Sequence, residues 1–140
     1  MINFKSAKML GEQNTQEELL NAFLHDAQWW KLTLGYIETE TWFIDQLLNA
    51  RIYKENTPNL FERLQKFKHE IKIRVKETKK LKKEIADYED KLHGFLEPQD
   101  ISSNTDFLQN HRELKDRYEE FYTGLNDYKT RVFNYIGGML

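Results

Sequence analysis

Four histidines, His25, His69, His93 and His111, are the side chains best suited to metal or proton chemistry in a chain without cysteine. Lack of thiols excludes thiolate zinc sites, iron–sulfur clusters, disulfide scaffolds and cysteine nucleophiles. Di-metal carboxylate bundles need Glu-x-x-His on two helices, because residues three apart face one metal pair. That tetrad does not occur, and the nearest approach is a single Asp90-Lys91-Leu92-His93. Nor does His-x-x-x-His occur to set two imidazoles on one helical face, and His93-x-x-x-Glu97 is interrupted by Gly94. Helix register still brings His111 level with Tyr88 and Phe23, and draws His25 and His93 toward the same end with Asp26 and Glu89. The candidate metal ligands are therefore His25, His93 and His111. The balance falls on a buried His111 bonded to Tyr88 or a carboxylate, with no metal and no cofactor. His69 falls on the outer side of its helix.

Nucleophilic and phosphate chemistry find less support. Ser6, Ser102 and Ser103 are the only serines, and none sits in a Gly-x-Ser-x-Gly elbow. Gly137-Gly138 has no helix after it to form a phosphate cradle. Carboxylates abound, but on helix faces expected to be solvated, so the chain is expected not to be an enzyme.

Charge is segregated along the chain. Residues 15–50 hold one lysine and six acids, net −5, and residues 63–83 hold ten bases and two acids, net +8, while the whole chain is −2. Within the basic stretch Lys68, Lys72, Lys76, Lys79 and Lys83 fall within about 80° on one helical face. This ladder is either a solvated outer face or a site for an anionic partner: a phosphate backbone, acidic lipid headgroups or an acidic protein surface. Lysines without interleaved aromatics attract phosphate but read no bases, which disfavours specific nucleic-acid recognition. Arg74 falls on the inner seam at the level of Glu38 or Glu40, which suggests a register-setting ion pair or a small polar pocket.

These residues must be held by long helices. Pro58 and Pro98 punctuate the chain, and Gly137-Gly138 follows the last periodic segment. Thr15-Gln16-Glu17-Glu18 fits a capping box, giving a first helix from Thr15 to about Tyr53. Thr57-Pro58 starts a second, which runs to about His93, where Gly94 is suited to a left-handed cap. Ser103-Asn104-Thr105-Asp106 caps a third that ends before Gly137. Steps of four and three wind one apolar seam along each: Phe23 to Leu48, Leu60 to Leu92, and Phe107 to Tyr135. The expected fold is all-α, an antiparallel up-down-up bundle of three long helices, each about 50 Å long. Its divisions are an arm at 1–14, a single bundle domain at 15–136 and a C-terminal cap at 137–140.

The first helix carries a second apolar stripe of Trp29, Leu32, Tyr36, Phe43 and Leu47, some 120–130° from its seam. The arm, or Ile136, Met139 and Leu140, is able to cover it; so is burial of the helix between the other two. The alternative is a homodimer interface, since large apolar patches seldom stay exposed. No window is apolar enough to span a membrane and no secretory pattern is evident, so a cytoplasmic location is expected. The sequence thus points to a structural or protein-interaction module that self-associates. The alternatives are anionic-surface binding through the ladder, or metal or small-ligand binding in the core.

Overall fold

The computed structural model describes residues 4–50, 58–94 and 105–138. They form an all-α bundle of three long helices: α1 (Phe4–Leu48), α2 (Leu60–His93) and α3 (Thr105–Gly137). The apolar seams are what hold it together. On α1, Phe23, Ala27, Trp30, Leu34, Ile37, Thr41, Ile44 and Leu48 are all buried, and their partners include Ile71, Ile85 and Tyr88 on α2 and Leu125, Tyr128 and Val132 on α3.

Polar contacts flank this core and fix the register. Lys31 meets Glu89 at 3.3 Å and Lys82 meets Glu38 at 2.5 Å, so residue numbers rise along α1 as they fall along α2. Between α2 and α3, Glu84 pairs with Arg117, and Glu70 meets Arg131 at 3.0 Å. The Tyr128 hydroxyl also donates to the Phe67 carbonyl at 2.7 Å. Asp26 to His111 (3.1 Å) and Glu40 to Lys129 (2.6 Å) tie α1 to α3 in parallel.

Several expected boundaries are corrected. α1 begins at Phe4, so residues 4–14 are not a separate arm. Nothing in that segment forbids a helix: it has no proline, and Gly11 alone costs about 1 kcal/mol. The capping-box residues lie inside the helix. A continuous helix cannot fold back over its own flank, so this segment does not cover the second stripe. α1 ends at Leu48, where the Asn49 side-chain amide donates to the Asp45 carbonyl at 2.7 Å; Tyr53 lies outside the described residues.

α2 starts at Leu60 rather than at Pro58, because Asn59 turns the chain with φ 57°. Asparagine tolerates that left-handed conformation better than most residues. Gly94 is right-handed, with φ −76° and ψ −13°, its N–H bonding back to Asp90 and Lys91 carbonyls. No left-handed cap forms there. Ser103 and Asn104 of the third cap lie outside the described residues, as do Met139 and Leu140. α3 includes Gly137, and Ile136 is buried in the core instead of over the stripe.

Candidate functional site

The second stripe of α1 is solvent-facing. Trp29 is 58% exposed, Leu32 51%, Tyr36 63% and Phe43 54%. Leu47 is half-buried and packs against the core, so it borders the stripe rather than completing it. Trp29, Tyr36 and Phe43 stand seven residues apart, with Leu32 between the first two. That is heptad spacing, so α1 carries one seam turned into the bundle and another turned out of it.

Across the α1–α3 groove the stripe is extended by two residues that seam counting on α1 could not find. Tyr122 (41% exposed) stacks on Tyr118, which in turn packs on Trp30; Phe133 (45% exposed) is one turn beyond Lys129, the partner of Glu40. Both therefore stand on the edge of α3 that borders α1. For Tyr122 the signal was its four-residue step from the seam residue Tyr118.

Three acids of α1 at the level of the stripe are turned away from this face. Glu38 is held by Lys82, Glu40 by Lys129 and Asp26 by His111. The positions flanking the stripe toward α2 are Asn21, Gln28, Thr39 and Gln46, all neutral. A helix that reads as strongly acidic in sequence thus presents, between Trp29 and Phe43, an apolar seam with a neutral rim toward α2.

His111 is buried and both its ring nitrogens are engaged. Nδ1 lies 2.5 Å from the Tyr88 hydroxyl and Nε2 3.1 Å from Asp26 Oδ2. Asp26 only accepts when ionised, so Nε2–H donates to it and the Tyr88 hydroxyl donates to Nδ1. The ring stacks on Phe23 with centroids 3.7 Å apart and planes 9° apart. Burial holds the His111 pKa below its ordinary value against the opposing pull of Asp26, and burial raises that of Tyr88. A neutral imidazole with both nitrogens occupied has no lone pair to give a metal. His93 is exposed, 3.9 Å from Glu89, and His25 is exposed at another point on the surface. Among the described residues no group of three or more histidine or carboxylate side chains is arranged to hold a metal ion.

Arg74 does not reach α1. It pairs within its own helix with Glu70 (3.4 Å) and Glu77 (3.8 Å), and its guanidinium lies over Gly124 of α3, where a Cβ would come within 3.1 Å. The partners expected for it are taken by Lys82 and Lys129. Thr41 and Thr78, the other polar seam residues, satisfy their hydroxyls on Glu38 and Arg74 carbonyls of their own helices.

The lysine ladder lies along the outer edge of α2 next to α1. Lys72, Lys76, Lys79 and Lys83 are exposed and Lys68 is half-buried, and none has an ion-pair partner among the described residues. Lys72, Lys76 and Lys79 form one rim of an open groove of about 570 Å³ between α1 and α2. Ile71 and Val75 line its floor, and Trp42, 62% exposed, forms a wall from α1. Neither Trp42 nor Phe61, 72% exposed near the start of α2, belonged to a sequence-derived stripe, because each stands alone on its own helix face.

Comparison with known proteins gives no matching family model, no matching curated protein and no matching solved structure. No described helix is long and apolar enough to cross a membrane. The class defined by fold and surface is thus a three-helix bundle with an outward-facing apolar seam.

Proposed function

We propose that the protein is a cytoplasmic, non-enzymatic interaction module that self-associates through the outward seam of α1. The observation that carries this reading is the exposed Trp29–Tyr36–Phe43 heptad series, at whose level Asp26, Glu38 and Glu40 are paired inside the chain. Two copies of an acidic helix would ordinarily repel. Here Glu38 and Glu40 are matched by lysines of α2 and α3 and Asp26 is bonded to His111, so between Trp29 and Phe43 the facing surface is apolar. The seam is also self-complementary under a two-fold axis at Tyr36, because Trp29 and Phe43 lie about 10 Å to either side and meet one another in an antiparallel pair.

The area is sufficient. Aromatic side chains present about 150–250 Å² each, so the six half-exposed residues Trp29, Leu32, Tyr36, Phe43, Tyr122 and Phe133 offer about 600 Å² per copy. A symmetric pair buries about 1,200 Å², the lower end of the range for stable complexes.

The cysteine-free sequence makes the test direct. Tyr36→Cys is expected to cross-link to its own copy with a short bis-maleimide. Glu18→Cys, on the same face but roughly 27 Å along the helix, is not, since an antiparallel pair separates its two copies by about twice that distance. Cross-linking at both positions would mean a parallel pair, and at neither would remove the self-association reading.

A further inference from the structure

The α1–α2 face carrying the lysine ladder combines two properties that seldom occur together on a solvated helix: a row of cations without internal partners, and large aromatics standing beside it. Lys68 to Lys83 span about 22 Å along α2. Glu70 and Glu77, the acids within that span, are turned toward Arg74 and Arg131 on the α3 side. On α2 the ladder face is therefore of one sign along its length; across the groove Glu38 is held by Lys82, and Asp45 is the one other acid that lines it. Phe61, 72% exposed, lies on the same face about 10 Å beyond Lys68. Trp42, 62% exposed, rises from α1 at mid-ladder, across the groove from Lys72, Lys76 and Lys79.

We propose that this face docks on an anionic lipid bilayer surface, with the helix axes lying in the plane of the membrane. Trp42 and Phe61 enter the headgroup layer while the lysines meet acidic headgroups around them. Lysine suits this role, because its long apolar stem follows the aromatics downward while the ammonium stays at headgroup level. Tryptophan is the side chain that most favours the membrane–water boundary. A cluster of four to eight cations beside such anchors supplies the second signal that stable peripheral attachment needs. The same cations attract nucleic acid, but a single strand is gripped by aromatics that stack successive bases, and on α2 no exposed aromatic stands between Lys68 and Lys83. Trp42 stands roughly 110° around α1 from the outward seam. Lipid docking and self-association therefore succeed or fail independently.

The experiment is co-sedimentation of the full chain with vesicles of phosphatidylcholine alone, or with phosphatidylserine making up a third of the lipid. At about 50 mM salt, binding is expected to the phosphatidylserine vesicles only, and to weaken as salt rises. Each lysine near the surface contributes about a factor of five, so Lys72→Glu with Lys76→Glu and Lys79→Glu is expected to lower partitioning by more than about 100-fold. Circular dichroism checks that this exposed triple variant keeps its helices. Lys66→Glu with Lys80→Glu, off the ladder face of the same helix, is expected to retain most of the binding. A blue shift of tryptophan emission on binding, lost in Trp42→Phe, reports insertion of that side chain. The proposal is overturned if phosphatidylserine vesicles are not bound, if the ladder variant binds as well as the parent chain, or if a single-stranded oligonucleotide binds and the vesicles do not.

Discussion

Trp29 and Trp30 are adjacent and identical, and replacing each by alanine should separate association from folding. Trp29 is 58% exposed and Trp30 only 4%. With a side-chain area of up to about 250 Å², Trp29 offers roughly 130 Å² to a partner. At about 25 cal/mol per Å² that is about 3 kcal/mol for each copy, and a two-fold pair contains it twice. Even if only half of that sum is realised, Trp29→Ala should weaken dimerisation by about 100-fold. Its monomer should fold as before, because exposed substitutions usually change stability by no more than about 0.5 kcal/mol. Trp30→Ala removes a buried ring packed on Tyr118 and His111, and should cost about 3–5 kcal/mol of folding stability. Sedimentation equilibrium over a micromolar concentration series measures the first effect and urea unfolding the second. A parent chain that stays at 16.9 kDa at every concentration refutes the reasoning. So does a Trp29→Ala chain that dimerises as tightly as its parent, or one that loses its helices.

Three further outcomes are expected. Tyr88→Phe leaves Nδ1 of buried His111 without its donor and should cost about 1–3 kcal/mol in urea unfolding. His111 should also make stability depend on pH. The unfolded chain protonates this ring near pH 6.5, whereas burial keeps it neutral to a lower pH in the fold, with Asp26 opposing and Lys115 reinforcing the shift. The unfolded state therefore takes up the proton first, so stability present above about pH 6.5 is lost as the pH falls toward the folded value. His111→Gln should flatten that part of the profile. Gly35→Ala adds a Cβ that meets nothing within 4 Å, and should raise the urea midpoint through a helix-propensity gain of about 0.5–1 kcal/mol.

The inner seams were legible because heptad spacing is repeated many times in each helix, so single exceptions do not disturb it. All eight seam positions from Phe23 to Leu48 are buried. Helix ends were less legible, since each rests on a few residues with more than one use. Thr15 and Glu18 suit a cap but also sit within a helix, and Asn59 rather than Pro58 makes the turn into α2. The His111 contacts were readable as a pair of alternatives, Tyr88 or a carboxylate, and both are made, one at each ring nitrogen. Arg74 was misassigned because a seam position says which face a residue is on, not which neighbour competes for it. Tyr122, Phe133, Trp42 and Phe61 were missed for a related reason. An exposed face shared by two helices has no periodicity within either one.

The inward turn of the α1 acids has a consequence for how the whole molecule behaves in a field. Glu38, Glu40 and Asp26 are matched within the bundle, so most of the unmatched charge is left elsewhere. The ladder edge of α2 is positive, and the outer side of α3, with Glu113, Asp116, Glu119 and Glu120, is rich in acids. A chain with an isoelectric point near 6.1 therefore carries its charge unevenly. It should drift to the anode as a whole while presenting its cationic edge first to any negatively charged surface it meets.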